Sequence, residues 1–212
     1  MYYDLIIYYL ILFVVAIIGM VRLSKLTIPF RILAYLIIVI LISEIIARVL
    51  VYTIRNSNPP YHILCILQYA GFAYIYYRLL TGHRARIYIL ISIIPFCILS
   101  CLNTLFFQTF FTFPSNIIML SYIVFIIFSL LLFMQMLDQP KETAIFKQSI
   151  FWLNIAILIY SIITPVSFGV LNYLAKHNLS AEIVGNFIEY FTFLYYLTIG
   201  YSILIDKKSV PI

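Results

Sequence analysis

The sequence predicts an all-α, polytopic transmembrane bundle of seven helices, with its N-terminus outside and its C-terminus in the cytoplasm. Three observations predict it. Hydrophobic residues make up 65% of the 212 residues, charged residues only 9%, and the mean hydropathy is +1.12. Seven apolar stretches are close to the ~20 residues that carry a helix across a bilayer. Lys and Arg fall almost wholly into alternate connections between those stretches. A soluble surface needs ~25–35% charged residues, so the composition argues against a soluble enzyme, a disordered chain, a fibrous protein and a nucleic-acid module.

The stretches cover 3–21, 29–53, 60–80, 87–105, 115–137, 150–174 and 181–205, and residues 1–212 form one transmembrane domain. The first stops at Arg22-Leu-Ser-Lys25, and Pro29 opens the second. Asn56-Ser-Asn-Pro-Pro60 separates the second from the third, and Thr81-Gly-His-Arg84 ends the third. The fourth contains Pro95 and has no charge at its far end. The fifth begins after Phe113-Pro114-Ser-Asn116 and ends at Asp138-Gln-Pro-Lys141. The sixth contains Pro165, which membrane helices tolerate when neighbours satisfy the freed carbonyl. Lys176-His-Asn-Leu-Ser180 leads into the seventh.

Orientation follows from the basic residues. The connections after stretches one, three and five, together with the tail, hold ten: Arg22, Lys25, Arg31, Arg78, Arg84, Arg86, Lys141, Lys147, Lys207 and Lys208. The opposite side holds Arg55 and Lys176, and Arg48 lies within a span. The chain is thus expected in a cell membrane as a multi-pass protein. The start Met-Tyr-Tyr-Asp4 lacks the basic n-region of a cleaved signal peptide. The net charge of +6 follows from this topology, with attraction to anionic membrane lipids as a consequence and no nucleic-acid partner.

The 19 Tyr and 18 Phe include Tyr2-Tyr3, Tyr8-Tyr9, Tyr74-Ile-Tyr-Tyr77 and Tyr195-Tyr196, mainly near stretch ends. They are expected in interfacial aromatic belts, with a tyrosine-lined ligand cavity as the alternative. Ala70-Gly71-Phe-Ala73 marks close helix packing. Cys65, Cys97 and Cys101 read as small hydrophobes in buried helices, and three cysteines make no disulfide framework.

Ionisable groups inside spans usually face the bundle interior and have partners. Six polar residues stand out: Glu44 and Arg48 in the second stretch, His62 and Gln68 in the third, Asn186 and Glu189 in the seventh. At ~1.5 Å per residue, Glu44 and Gln68 lie ~12 Å below the outer surface, Asn186 ~9 Å, Glu189 ~14 Å and Arg48 ~6 Å, with His62 at the rim. Such a set suits an outward-facing pocket for a small polar ligand or a proton. It equally suits a closed network in which Glu44 and Glu189 pair with Arg48 and His62 caps its helix.

Sharper chemistries fail. There is no intramembrane lysine for a retinal Schiff base, no converging His set for zinc or haem, and no base within a helical turn of Ser121 or Ser161. No catalytic residue, cofactor or metal is therefore expected.

From the third stretch onward the chain resembles an uncharacterised bacterial seven-span integral membrane protein family, often encoded near sensor histidine kinases. The matching residues are Asn56-Ser-Asn-Pro-Pro-Tyr-His62-Ile and Phe113-Pro-Ser-Asn116. Phe151-Trp152-Leu-Asn154, Leu158-Ile-Tyr160-Ser161 and Phe168-Gly169-Val-Leu-Asn172-Tyr173-Leu match as well. Glu44 fits an acidic position of that family, whereas Gln68 stands where its members carry an acid. The resemblance implies a sensory or accessory role and a place in the bacterial inner membrane. The expected function is a non-enzymatic membrane sensor or receptor-like subunit, whose Arg78, Arg84, Arg86 and Lys147 face a membrane or cytoplasmic signalling partner. A small-solute transporter or permease and a scaffold subunit of a membrane complex are the alternatives.

Overall fold

Proline and apolar length set the helix ends. A computed structural model describes residues 2–138 and 145–207, so Lys141 and Lys208 lie outside the described residues. Eight α-helices follow in order: α1 (Tyr2–Val21), α2 (Ile28–Ile54), α3 (Pro59–Leu79), α4 (His83–Ile91), α5 (Ile93–Leu102), α6 (Ser115–Asp138), α7 (Ser149–Lys176) and α8 (Glu182–Ile205). Among the described residues there is no strand. Pro29 and Pro59 sit in the first turns of α2 and α3, where the missing N–H has no intrahelical partner to lose.

The fourth apolar stretch is one bent rod. Pro95 cannot donate to the carbonyl one turn back, and the helix breaks at Ser92 between α4 and α5. Ser92 Oγ donates to the Ile89 carbonyl at 2.6 Å and accepts from the Tyr69 hydroxyl at 2.8 Å. A π-helical turn, Asn103–Phe107, extends the rod. Pro165 leaves α7 unbroken.

Among the described residues six helices are long and apolar enough to cross a membrane: α1, α2, the α4–α5 rod, α6, α7 and α8. Seven such stretches were expected. The seventh, α3, is long but carries Tyr61, His62, Gln68, Tyr69, Tyr76 and Arg78. The packing gives the reason. Helices α1, α2, α3, α6, α7 and α8 form a closed ring, each packed on the next and α8 returning to α1. The α4–α5 rod lies outside the ring against α3, so α3 has neighbours on three sides and its polar groups find partners there. The outer surface is apolar: Leu10, Phe13, Ile45, Ile94, Leu105, Phe106 and Ile183 are all exposed.

Small residues allow the close approaches. A Cβ on Gly71 would lie 3.1 Å from the Leu36 methyls, one on Gly19 3.0 Å from Ala34 Cβ, and one on Gly200 3.0 Å from Val15 Cγ2. The first of these bears out the close packing expected around Gly71. Cys65 is buried, but Cys97 is only partly covered and Cys101 is exposed, because the α5 rod flanks the ring and shows its outer face.

Two polar clamps hold the ring. Asn154 of α7 accepts from the Tyr76 hydroxyl at 2.9 Å and from Ser129 Oγ at 2.8 Å, and donates to the Ser129 carbonyl at 3.0 Å. These three residues are fully buried and tie α3, α6 and α7 together. At one end of the ring, Asp206 accepts from Thr27 N at 2.8 Å and from Ser149 Oγ at 2.9 Å, while its carbonyl accepts from Arg22 at 2.9 Å. The antiparallel helix order brings Arg22, Lys25, Arg31, Arg78, Arg84, Arg86, Lys147 and Lys207 to this same end, and Arg55 and Lys176 to the other.

Candidate functional site

The ring of six helices does not close over its own axis. A cavity of about 150 Å³ remains, walled by residues from every helix of the ring. Glu44 of α2 and Gln68 of α3 line it, and among its described lining residues Glu44 is the sole Asp, Glu, Lys, Arg or His.

The Glu44 carboxylate accepts from the Tyr61 hydroxyl at 3.1 Å, and the Tyr8 hydroxyl lies beside it. Among the described residues no Lys, Arg or His nitrogen lies within 4.0 Å of it. Arg48, one turn further along α2, interacts electrostatically with Glu44, Tyr9 and Tyr61 but forms no ion pair with Glu44. The closed Glu44–Arg48 pair is therefore not formed. Gln68 makes no hydrogen bond with any described residue.

Aromatic rings form half of the remaining wall. Tyr8 meets Tyr196 edge-on at 5.9 Å, Tyr196 meets Tyr195 at 5.1 Å, and Tyr195 stacks on Tyr160 at 4.3 Å. Tyr160 in turn meets Tyr122 edge-on at 5.7 Å. Across the cavity, Phe113 joins Tyr61 to Phe168, with centroids at 5.5 and 5.7 Å. The Tyr160 hydroxyl is bonded to Thr192 at 3.3 Å.

Of the six residues expected to meet, the structure brings Glu44 and Gln68 to one cavity and places four elsewhere. His62 is buried nearby and has both ring nitrogens engaged, Nδ1 with Thr104 Oγ1 and Nε2 with the Thr112 carbonyl, each at 2.8 Å. A carbonyl can only accept, so Nε2 carries a proton. Asn56 and Asn58 donate to the Phe111 carbonyl at 2.8 and 2.9 Å. Together these bonds fasten the connection before α6 to the start of α3 and so hold Phe113 at the cavity wall. Arg48 does not line the cavity. Asn186 is exposed, and Glu189 is partly exposed among charges that include Asp4 rather than Arg48. Depth along a helix does not set direction around it, and α8 turns these two away from the ring axis.

The tyrosines are what sequence reasoning undervalued. Tyr8, Tyr195 and Tyr196, expected in the interfacial belts, line the cavity, and Tyr76 belongs to the Asn154 clamp. A signal existed: Tyr160 and Tyr195 lie near the middle of their helices, where an interfacial belt does not reach. Among the described residues no group of three or more His, Cys, Asp and Glu converges as a metal site. Ser121 lines the cavity but donates to the Ile118 carbonyl at 2.7 Å. The cavity presents one carboxylate, one amide and several hydroxyls.

No family model matches the chain, and no curated protein and no solved structure matches it either.

Proposed function

We propose that this chain is an integral membrane sensor or receptor-like accessory subunit, and that its central cavity takes one small ligand. The observation that carries this reading is Glu44, set in a cavity of about 150 Å³ inside the ring with no described Lys, Arg or His nitrogen within 4.0 Å of it. Because six helices contribute to the wall, an occupant that fits one arrangement better than another biases all of them at once.

In this account α3 is a seventh span, stabilised by its neighbours rather than by its own apolarity. The end that gathers eight Lys and Arg faces the cytoplasm, by the excess of basic residues on that side. Arg78, Arg84 and Lys147 are exposed there and available to a signalling partner. Arg86 is not free in the same way: its Nε donates to the Tyr77 carbonyl at 3.0 Å and its guanidinium lies 4.6 Å above the Tyr77 ring.

The test is thermal unfolding of the full chain in lipid nanodiscs against a panel of small polar solutes. A ligand at ~100 times its Kd adds ~2.7 kcal/mol, and the expected result is a stabilising solute whose effect disappears in Glu44→Gln. A panel that stabilises neither protein contradicts the reading. Flux of the stabilising solute into proteoliposomes would turn the assignment from receptor to transporter.

A further inference from the structure

The wall of the cavity narrows the class of ligand. A carboxylate withdrawn from water is costly unless a cation or hydrogen bonds compensate. Glu44 has the Tyr61 hydroxyl at 3.1 Å and no described basic group within 4.0 Å. Arg48, one turn along α2, acts on Glu44 electrostatically but forms no ion pair with it and does not line the cavity, so an anionic ligand would meet the carboxylate with no cation in the wall.

The aromatic lining points the same way. Rings of Tyr8, Tyr196, Tyr195, Tyr160 and Tyr122 follow one another around the wall with centroids 4.3 to 5.9 Å apart. The face of an aromatic ring is electron-rich and attracts a cation, and cages of such rings are a recurrent means of holding quaternary ammonium groups. Unlike a hydrated metal ion, such a group has methyls that suit a mostly apolar wall and sheds its water cheaply. Size agrees as well, since a cavity of about 150 Å³ is enough for one benzene-sized molecule.

We propose that the cavity is a binding site for a small organic monocation of the quaternary-ammonium class, its charge against Glu44 and its methyl groups against the tyrosine rings. This rests on the ligand-binding reading above and gives that ligand its chemistry.

The test is calorimetric titration of the full chain in nanodiscs with choline and with its neutral carbon isostere, dimethylbutanol, which has the same shape without the charge. Choline should bind saturably, the isostere at least about tenfold more weakly, and Glu44→Gln should lose a similar factor for choline alone. If Glu44→Gln fails to fold, Tyr122 still decides: Tyr122→Leu should bind choline several-fold more weakly, and the ring-retaining Tyr122→Phe should recover most of that loss. Equal binding of both probes, unchanged by Glu44→Gln, overturns the cation assignment and leaves the pocket standing. Absence of binding by either probe up to about 10 mM, the weak end of measurable affinity, also overturns it. In that case the solute panel decides separately whether the pocket binds anything.

Discussion

The Tyr61 hydroxyl donates to the Glu44 carboxylate at 3.1 Å, joining the start of α3 to the later half of α2. It is a local prop for an acid that has no described cation within 4.0 Å. Tyr61→Phe removes the donor and keeps the ring against Phe113. Polar bonds inside membrane bundles are worth ~0.5–2 kcal/mol, so a loss of that size is expected in unfolding titrations. Ligand affinity should change as well, because the carboxylate loses the contact that orients it.

Asn154 carries more of the fold. Asn154→Leu would leave the Tyr76 hydroxyl without its acceptor and the Ser129 carbonyl without its side-chain donor, while Ser129 Oγ keeps the backbone carbonyl of residue 154 at 3.1 Å. Each buried group left unpaired costs ~1–3 kcal/mol, so the substitution should lower stability by about 2–4 kcal/mol. A double-mutant cycle with Tyr76→Phe separates the bond from the packing. A coupling of ~0.5 kcal/mol or more, the size seen for residues sharing one network, is expected.

Much of this fold was legible because helix ends are written in proline, glycine and charge. Pro29, Pro59 and the run from Thr81 to Arg84 lie at or beside helix boundaries, and Pro95 marks the break at Ser92. Depth was legible too, since Glu44 and Gln68, placed at the same level by counting residues, share the cavity. Direction around the helix axis was not. A helix that is apolar on every side gives no amphipathic pattern to orient it. Asn186 and Glu189 on α8 were therefore placed at the right element and turned the wrong way. The closed ring was equally hidden, because nothing in a single apolar stretch says which stretch it packs against.

Asp206 should matter at the opposite end of the bundle from Tyr61. Its carboxylate binds the Thr27 backbone and Ser149, and its carbonyl binds Arg22. Asp206→Ala should release the connection between α1 and α2. Hydrogen exchange is the readout: the Thr27 amide should lose protection while amides within α2 keep theirs.

The span count is open to direct measurement. In a background with Cys65, Cys97 and Cys101 replaced by Ser, a cysteine is placed by Ser57→Cys before α3 and, separately, by Gly82→Cys after it. If α3 crosses the membrane, a membrane-impermeant maleimide labels the first in intact cells and the second only after permeabilisation. Labelling of both without permeabilisation contradicts the seven-span account.

The most direct test of the central claim, a ligand held at Glu44, is native mass spectrometry of the full chain released gently from its own membranes. The account predicts that the unsubstituted protein carries one small molecule per chain and that folded Glu44→Gln does not. A bare chain in both samples, or the same small molecule retained by both, would contradict it.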